Sequence, residues 1–446
     1  MKKLIDKFNN SNVSLVISDY PERDSHGEKN YGIAWYTKET LEEVAKKYNQ
    51  RFVVLAEKDG KIGPTFYAGG RIMVLRVFDP QHHTLFPVIL KWLWKFSNIK
   101  KVYVHSEFCT NGGLKNFVLL IPFLGIIKIL RRDVTYFAHN VILSFDDISD
   151  HLNLGNNKLK ISILNISLKF YYRLLGLTAD RIVVMDEAIK ARLVKFVPEE
   201  KLICVPFWIK PIKRMLNRPE ARKKLDIRNK EFVLLYFGFI TWYKGADWII
   251  DEIQNSEFRI QSRKIRLILA GGEAYSLKDK GYYKKYYQEQ IDKVKRSQNI
   301  TITGFVREEE IEKYFQASDL VVFPYRGLIG SSATLNFAIQ YKRPFLISDK
   351  MSDALTNDIF AKAFESTSLQ EKDIIFPMKK NSFARSLSKR MSKSFMHKLT
   401  DLSKFLYNER KINNILDGYF NSIFKVNHRE ILIAGKDYHG SYQSAV

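Results

Sequence analysis

The chain has 446 residues and a mass of 52.2 kDa, enough for two or three domains with cores of their own. Apolar residues make up 46% and charged residues 27%, which excludes wholesale disorder, collagen-like repetition and a polytopic membrane protein. The 72 Lys+Arg outnumber the 48 Asp+Glu and leave a net charge of +24, which points to a polyanionic neighbour: nucleic acid, an anionic membrane surface or a phosphate-rich substrate.

The N-terminus runs Met1-Lys2-Lys3 into Asp6, Asn9 and Asn10, without the apolar stretch of a signal peptide. Apolar, β-branched runs predict strands at Val13–Ser18, Phe52–Ala56, Ile72–Phe78, Val102–His105, Val134–Ala138, Ile182–Met185 and Leu202–Val205. Helical periodicity fills the gaps, as in Thr37–Tyr48. Phe117–Leu130 is the most apolar stretch, but its ~14 residues fall short of the ~20 that span a bilayer. A second series of strands is expected at Phe232–Phe237, Ile265–Ala270, Ile300–Thr303, Leu320–Phe323 and Phe345–Ser348, with helices between them.

Strands separated by helices predict parallel βαβ units, and continuously apolar strands predict sheets covered on both faces. The fold class is therefore α/β, with two doubly wound domains expected at 1–210 and 211–376. Their join falls near Pro206–Lys213, where Pro206 and Pro211 bracket a stretch that fits neither pattern. Residues 377–446 read as a basic helical tail. Lys379–Lys398 holds seven Lys/Arg and no acid, and Phe383, Leu387, Met391 and Phe395 recur on one face of a helix. That stripe either packs on the other domains or lies against anionic lipid headgroups. Cys109 and Cys204 have no disulfide or zinc spacing, so a reducing cytoplasm is the expected compartment.

A doubly wound domain binds ligands outside the carboxyl ends of its strands. At the end of Phe232–Phe237 stands Gly238, where backbone N–H groups can approach an anion, followed by Lys244 with an ammonium for the same group. After Leu320–Phe323 comes Arg326, then Ser331, Ser332 and Thr334 ahead of a helix, offering free amides, cap hydroxyls and the positive dipole end. In the first half, His105-Ser106-Glu107-Phe108 and Phe137-Ala138-His139-Asn140 follow strands, and Gly32 precedes a helix. GxGxxG, GxxxxGK[ST] and a Ser-His-Asp arrangement are not recognisable in the sequence. No Asp-x-Asp stands at a candidate strand end, and no metal site is expected.

The ordered set Tyr236-Phe-Gly-Phe-Ile-Thr-Trp-Tyr-Lys-Gly-Ala-Asp247, Leu267-Ile-Leu-Ala-Gly-Gly-Glu273, Ile302-Thr-Gly-Phe-Val306, Tyr314-Phe-Gln-Ala-Ser-Asp319, Val322-Phe-Pro-Tyr-Arg326 and Ser331 through Asp349 resembles glycosyltransferase family 4. The first half is similar too, in Gly32-Ile33-Ala34-Trp35-Tyr36, His105-Ser-Glu-Phe108 with Gly112-Gly113, and Phe137-Ala-His-Asn140. The resemblance implies a GT-B architecture, two Rossmann-like domains facing across a cleft. It implies a retaining, metal-independent hexosyltransferase that moves a sugar from a GDP- or UDP-linked donor to a glycan or lipid-linked acceptor. No cofactor is implied beyond the nucleotide-sugar substrate. Gly238, Lys244, Arg326, Ser331, Ser332 and Thr334 would then hold the donor, His139 and Lys244 would be catalytic, and Gly32, His105 and Glu107 would face the acceptor. Two departures stand out. The family's paired glutamates fall on Ile329 and Phe337, and its arginine near the strand-end glycine is replaced by Phe239 and Thr241. They motivate an alternative: a degenerate GT-B protein that binds a nucleotide sugar or glycan without catalysis, or supports a partner transferase. A nucleic-acid partner rests on net charge alone and ranks last. The expected location is cytoplasmic and peripheral to an anionic membrane.

Overall fold

The computed structural model describes residues 1–21, 32–58, 63–80, 82–106, 114–146, 149, 154–155, 157–212, 215–228, 230–254, 259–260 and 263–425. The first part of the chain runs α1 (Lys2–Phe8), β1 (Val13–Ile17), α2 (Gly32–Tyr48), β2 (Arg51–Glu57), β3 (Pro64–Tyr67), β4 (Ile72–Phe78), α3 (Leu85–Lys95), β5 (Lys101–Ser106), α4 (Leu114–Ile129), β6 (Asp133–Ala138), α5 (Lys158–Thr178), β7 (Arg181–Val184), α6 (Glu187–Leu193) and β8 (Leu202–Cys204). These form an eight-stranded sheet in the order β3-β4-β2-β1-β5-β6-β7-β8, parallel except where β3 meets β4. Alternate strand residues go to opposite faces, and both faces are covered. Leu15, Val53, Val102 and Val134 pack under α3, α4 and α5, while Val16, Val54, Tyr103 and Phe137 pack under α2 and residues 412–424. The strand order reverses at β1 and β5, so their carboxyl ends open a crevice.

The second part runs α7 (Arg218–Lys224), β9 (Phe232–Phe237), α8 (Ala246–Gln254), β10 (Arg259–Ile260), β11 (Arg263–Ala270), α9 (Gly281–Lys295), β12 (Ile300–Ile302), α10 (Glu308–Ala317), β13 (Leu320–Phe323), α11 (Ala333–Gln340), β14 (Phe345–Ser348), α12 (Asp358–Thr367), α13 (Glu371–Ile374) and β15 (Ile375–Phe376). Its seven-stranded sheet has the order β10-β11-β9-β13-β14-β15, with β12 on β11. Here the order reverses around β9, which puts the crevice at Gly238.

The basic tail departs from a single helix. It folds as α14 (Phe383–Ser388) and α15 (Lys393–Glu409), because Ser392 leaves helical geometry and accepts the Phe395 amide as an N-cap. Phe383, Leu387 and Met391 are buried in the second core, so the apolar stripe is occupied and cannot face lipid. The chain then returns to the first part. Ile209 and Lys411 pair as neighbouring crossovers, with Ile209 N donating to Arg410 O (2.6 Å) and Ile412 N to Ile209 O (3.0 Å). α16 (Ile412–Phe420) and a π-helical turn (Asn421–Lys425) dock beneath the first sheet. Phe420 stacks on Tyr48 at 3.8 Å, and Phe424 sits 4.8 Å from Tyr103 and 5.5 Å from Phe52.

Phe424→Ala should therefore destabilise the protein by about 3–5 kcal/mol, the usual cost of emptying a buried aromatic site. Urea unfolding checks this, and an unchanged midpoint would mean that the returning tail does not support the first sheet.

Candidate functional site

A cleft of about 500 Å³ lies between the two crevices, within the range of small-molecule sites. On its second-domain side, β9 ends at Gly238 with φ of 124°. A Cβ there would stand 2.8 Å from Lys244 Nζ and 3.2 Å from Thr334 Cγ2. Backbone, ammonium and the first turn of α11 thus converge on one point that only glycine leaves open. Lys244 Nζ lies 5.6 Å from the Tyr325 ring and 5.9 Å from the Phe239 ring, and no carboxylate pairs with it among the described residues. Ser332 caps α11 through its hydroxyl, which accepts the Leu335 amide at 3.2 Å. Thr334 Oγ1 is tied to Tyr325 Oη at 2.6 Å and Ser332 Oγ at 3.0 Å. The arrangement presents an unneutralised cation, a strand-end glycine and a helix dipole to one anion.

The first-domain side meets it closely. A Cβ on Gly32, at the start of α2, would be 4.0 Å from Ala333 Cβ at the start of α11, so two helix N-termini face each other across the cleft. Trp35, Tyr36, Phe207 and Trp208 line that side, and Phe305 and Phe337 line the other. Two carboxylates also line the cleft, Glu39 and Glu308. Burial raises the pKa of Glu39, Lys210 at 3.3 Å opposes the rise, and Glu308 adds to it.

Behind Tyr36 runs a buried polar chain. Ser18 Oγ meets Thr37 Oγ1 at 2.9 Å, Thr37 Oγ1 meets His105 Nδ1 at 3.2 Å, and His105 Nδ1 meets His139 Nε2 at 3.1 Å. Burial pushes His139 down to about 3, and burial with the neighbouring imidazole pushes His105 well below its ordinary value. Both rings are neutral at neutral pH. The Tyr36 ring packs edge-on against His139 with centroids 5.8 Å apart.

The structure brings Gly32, Gly238, Lys244 and Thr334 to one cleft and separates them from the other candidates. His139 and His105 do not line it: both are buried, His139 edge-on to Tyr36 and His105 stacked on Phe137 at 3.9 Å. Arg326 is not a free cation for the donor: its guanidinium bonds both Asp247 oxygens at 2.9 and 2.7 Å and stacks 4.3 Å over Trp242. Ser331 and Ser332 line an adjoining hollow with Asp186 and Arg410, which shares Phe207 and Asn336 with the cleft. Glu107, with Phe108, Cys109 and Gly112-Gly113, lies outside the described residues. Ile329 joins the domains, its carbonyl accepting from Val141 N at 2.8 Å, while Phe337 lines the cleft against Phe237. Arg192 reinforces the junction, bonding Val141 O, Leu328 O and Asp353. Beside it Gly330 is obligatory, since a Cβ would lie 2.2 Å from His139 O. Sequence reasoning missed Trp35, Tyr36, Phe207 and Glu308 as cleft residues. The adjacent Trp35-Tyr36 after Gly32 and Phe207-Trp208 at the domain join were the available signal.

The histidine pair makes stability depend on pH. In the unfolded chain both rings protonate near the ordinary value of 6.5, whereas in the fold they do not. Their contribution is complete above that value and is lost as pH falls below it, by up to about 1.4 kcal/mol per pH unit for each ring. Urea midpoints measured from pH 7 to pH 5 should fall, and His105→Gln should flatten the slope. An unchanged slope in that variant would show that His105 is not held neutral.

Comparison with known proteins follows the same geometry. Residues 217–334 match the family described as Glycosyl transferases group 1. No curated protein matches the chain in sequence. Among solved structures, sucrose-phosphate synthase of Thermosynechococcus elongatus superposes with a TM-score of 0.66 at 12% identity, covering 93% of this chain and 100% of that one. HepE of Anabaena in complex with UDP-glucose gives 0.64 at 16% identity with the same coverage. An α,α-trehalose-phosphate synthase (UDP-forming) of Burkholderia vietnamiensis gives 0.63 at 10% identity, again over 93% and 100%. The architecture of the chain is GT-B, two Rossmann-like domains about a cleft.

Proposed function

We propose that the protein is a retaining, metal-independent hexosyltransferase of the family 4 type, using a UDP- or GDP-linked donor and a glycan or lipid-linked acceptor at the cytoplasmic face of a membrane. The observation that carries this reading is the Lys244 ammonium, unpaired among the described residues, converging with Gly238 and the start of α11 on one point of a GT-B cleft. In support, residues 217–334 match a glycosyltransferase family, and the structural neighbours include a protein in complex with UDP-glucose and a UDP-forming synthase.

In the proposed reaction the bond from the anomeric carbon to the diphosphate breaks, and its electron pair leaves with the diphosphate. Lys244 and the amides at Gly238 and the α11 start stabilise that charge, which develops as the bond lengthens. The acceptor hydroxyl forms the new bond on the face the diphosphate vacates, and its proton passes to the departing phosphate oxygen. The aromatic walls exclude water and give the base and sugar flat faces to pack on. His139 acts as a positioning residue, its ring packing edge-on against Tyr36 of the cleft wall.

A second reading is favoured by Ile329 and Phe337, which cannot accept a hydroxyl hydrogen where the family has glutamates: donor binding without turnover. Calorimetry with UDP- and GDP-hexoses, paired with donor hydrolysis and transfer assays run with and without Mg²⁺, separates the two. Binding with neither hydrolysis nor transfer favours the second.

Lys244→Ala should lower kcat/KM by ~10²-fold or more while leaving the melting temperature near that of the parent. Near-normal turnover would remove Lys244 from the mechanism. His139→Ala should lower kcat at saturating donor and change donor affinity little. A collapse of affinity with kcat intact would contradict the positioning role.

A further inference from the structure

α5 is apolar on two opposite faces. Leu168, Tyr172 and Leu175 point into the first core, as helical packing requires. Leu159, Ile163, Ile166, Phe170 and Leu177 recur at three-, four- and seven-residue steps on the other side, each between 56% and 72% exposed. The neighbouring helix continues this surface. α4 packs on α5 through Phe117 and Tyr171, stacked at 4.1 Å, and exposes Val118, Leu119, Ile126 and, at 80%, Ile129. α3 packs on α4 through Phe86 and Phe123 at 4.7 Å and exposes Trp94 at 82%. Scattered apolar side chains are ordinary on a protein surface, but a contiguous set across three packed helices marks an interaction face.

The charge pattern says what covers it. α3, α4 and α5 together hold eight Lys or Arg and no Asp or Glu. On α5 the exposed Lys169 and Arg173 flank one side of the apolar stripe and Lys160 the other. Apolar residues centred between cations fit a surface whose interior is hydrocarbon and whose rim is anionic phosphate. A second copy fits poorly, because a two-fold contact would set this acid-free face against itself, cation to cation.

We propose that the outer face of α3, α4 and α5 is a docking surface for an anionic lipid bilayer, resting in the headgroup region without spanning it. Among the described residues no helix is long and apolar enough to cross a membrane. The helices of parallel βαβ units run back against their strands, so α4 and α5 begin at the carboxyl edge where His105 and His139 stand. A narrow hollow between α3 and α4, lined by Leu85, Phe86, Ile89, Leu120 and Phe123, reaches His105. A lipid-anchored acceptor approaching along this face would meet the cleft from the first-domain side.

Flotation of the full chain with vesicles tests the surface without donor or turnover, so its failure would leave the transfer reading standing. The parent should float with phosphatidylcholine vesicles that contain phosphatidylglycerol, less so at high salt, and weakly with phosphatidylcholine alone. The variant I163Q/I166Q/F170Q should lose at least about ten-fold in partitioning, with an unchanged or raised melting temperature because the substituted side chains are exposed. The tail variant K379Q/K380Q/K389Q should float like the parent. Three results would overturn the proposal: flotation of I163Q/I166Q/F170Q equal to the parent, loss of flotation only in the tail variant, or a dimer in sedimentation equilibrium that I163Q/I166Q/F170Q dissolves while the parent ignores vesicles.

Discussion

A sheet buried on both faces leaves its strand ends as the main place for groups that must meet a ligand, and this confinement organises the molecule. β1, β9 and β13 are apolar over almost their whole lengths, β5 and β6 bury Val102, Val104, Val134 and Phe137, and the candidate functional groups gather at the carboxyl ends. Ser18, His139 and Gly238 each follow the last residue of a strand, and His105 is the last-but-one residue of β5. The reversal of strand order at β1/β5 and around β9 then splays the crossover helices and opens a crevice at each point. Because the crossovers at Ile209 and Lys411 lie side by side, the two crevices are held towards each other by paired strands of chain.

The cradle at Gly238 shows how little side-chain chemistry such a site needs. Its donors are backbone groups and one lysine, positioned by φ of 124° at a residue with no Cβ. Lys244 is kept in a ring-lined position between Phe239 and Tyr325, without an acidic partner among the described residues. A nearby carboxylate would have neutralised it. Asp247, three residues further on, is instead taken by Arg326, so the ion pair that removes Arg326 from the cleft also leaves Lys244 free for an anion.

Strands were legible in the sequence because continuous apolar runs between helical segments leave few alternatives. Most expected strands lie within one or two residues of those observed. The short elements β3, β10 and β15 carried too little periodic signal, and β3 is a partly exposed edge strand. In the tail, the four-residue spacing correctly marked a buried face, but it could not register the Ser392 cap that starts a new helix. The site was legible where neighbours in sequence act together, as in Gly238 with Lys244. It failed where distant segments decide the outcome. Nothing in Pro324-Tyr325-Arg326 announces Asp247, and nothing around His139 announces that it is buried edge-on to Tyr36.

The net charge of +24 can now be divided among these surfaces. The cleft does not account for it: Lys244 and Lys210 line it, but so do Glu39 and Glu308, and Lys210 already pairs with Glu39. A nucleotide diphosphate needs a few well-placed donors rather than a broad positive field. The tail lysines are solvated on helices whose apolar face is buried, so they have charge without adjoining free apolar surface. Among the described residues, α3, α4 and α5 combine exposed apolar side chains with eight cations, of which Lys128 pairs with Asp180 beside the end of α5. Charge alone would draw the protein to any polyanion, and exposed apolar area alone would draw it to any apolar surface. Their superposition on one face selects a partner that is both at once, and a bilayer with anionic headgroups has that character over an area wide enough to meet three helices.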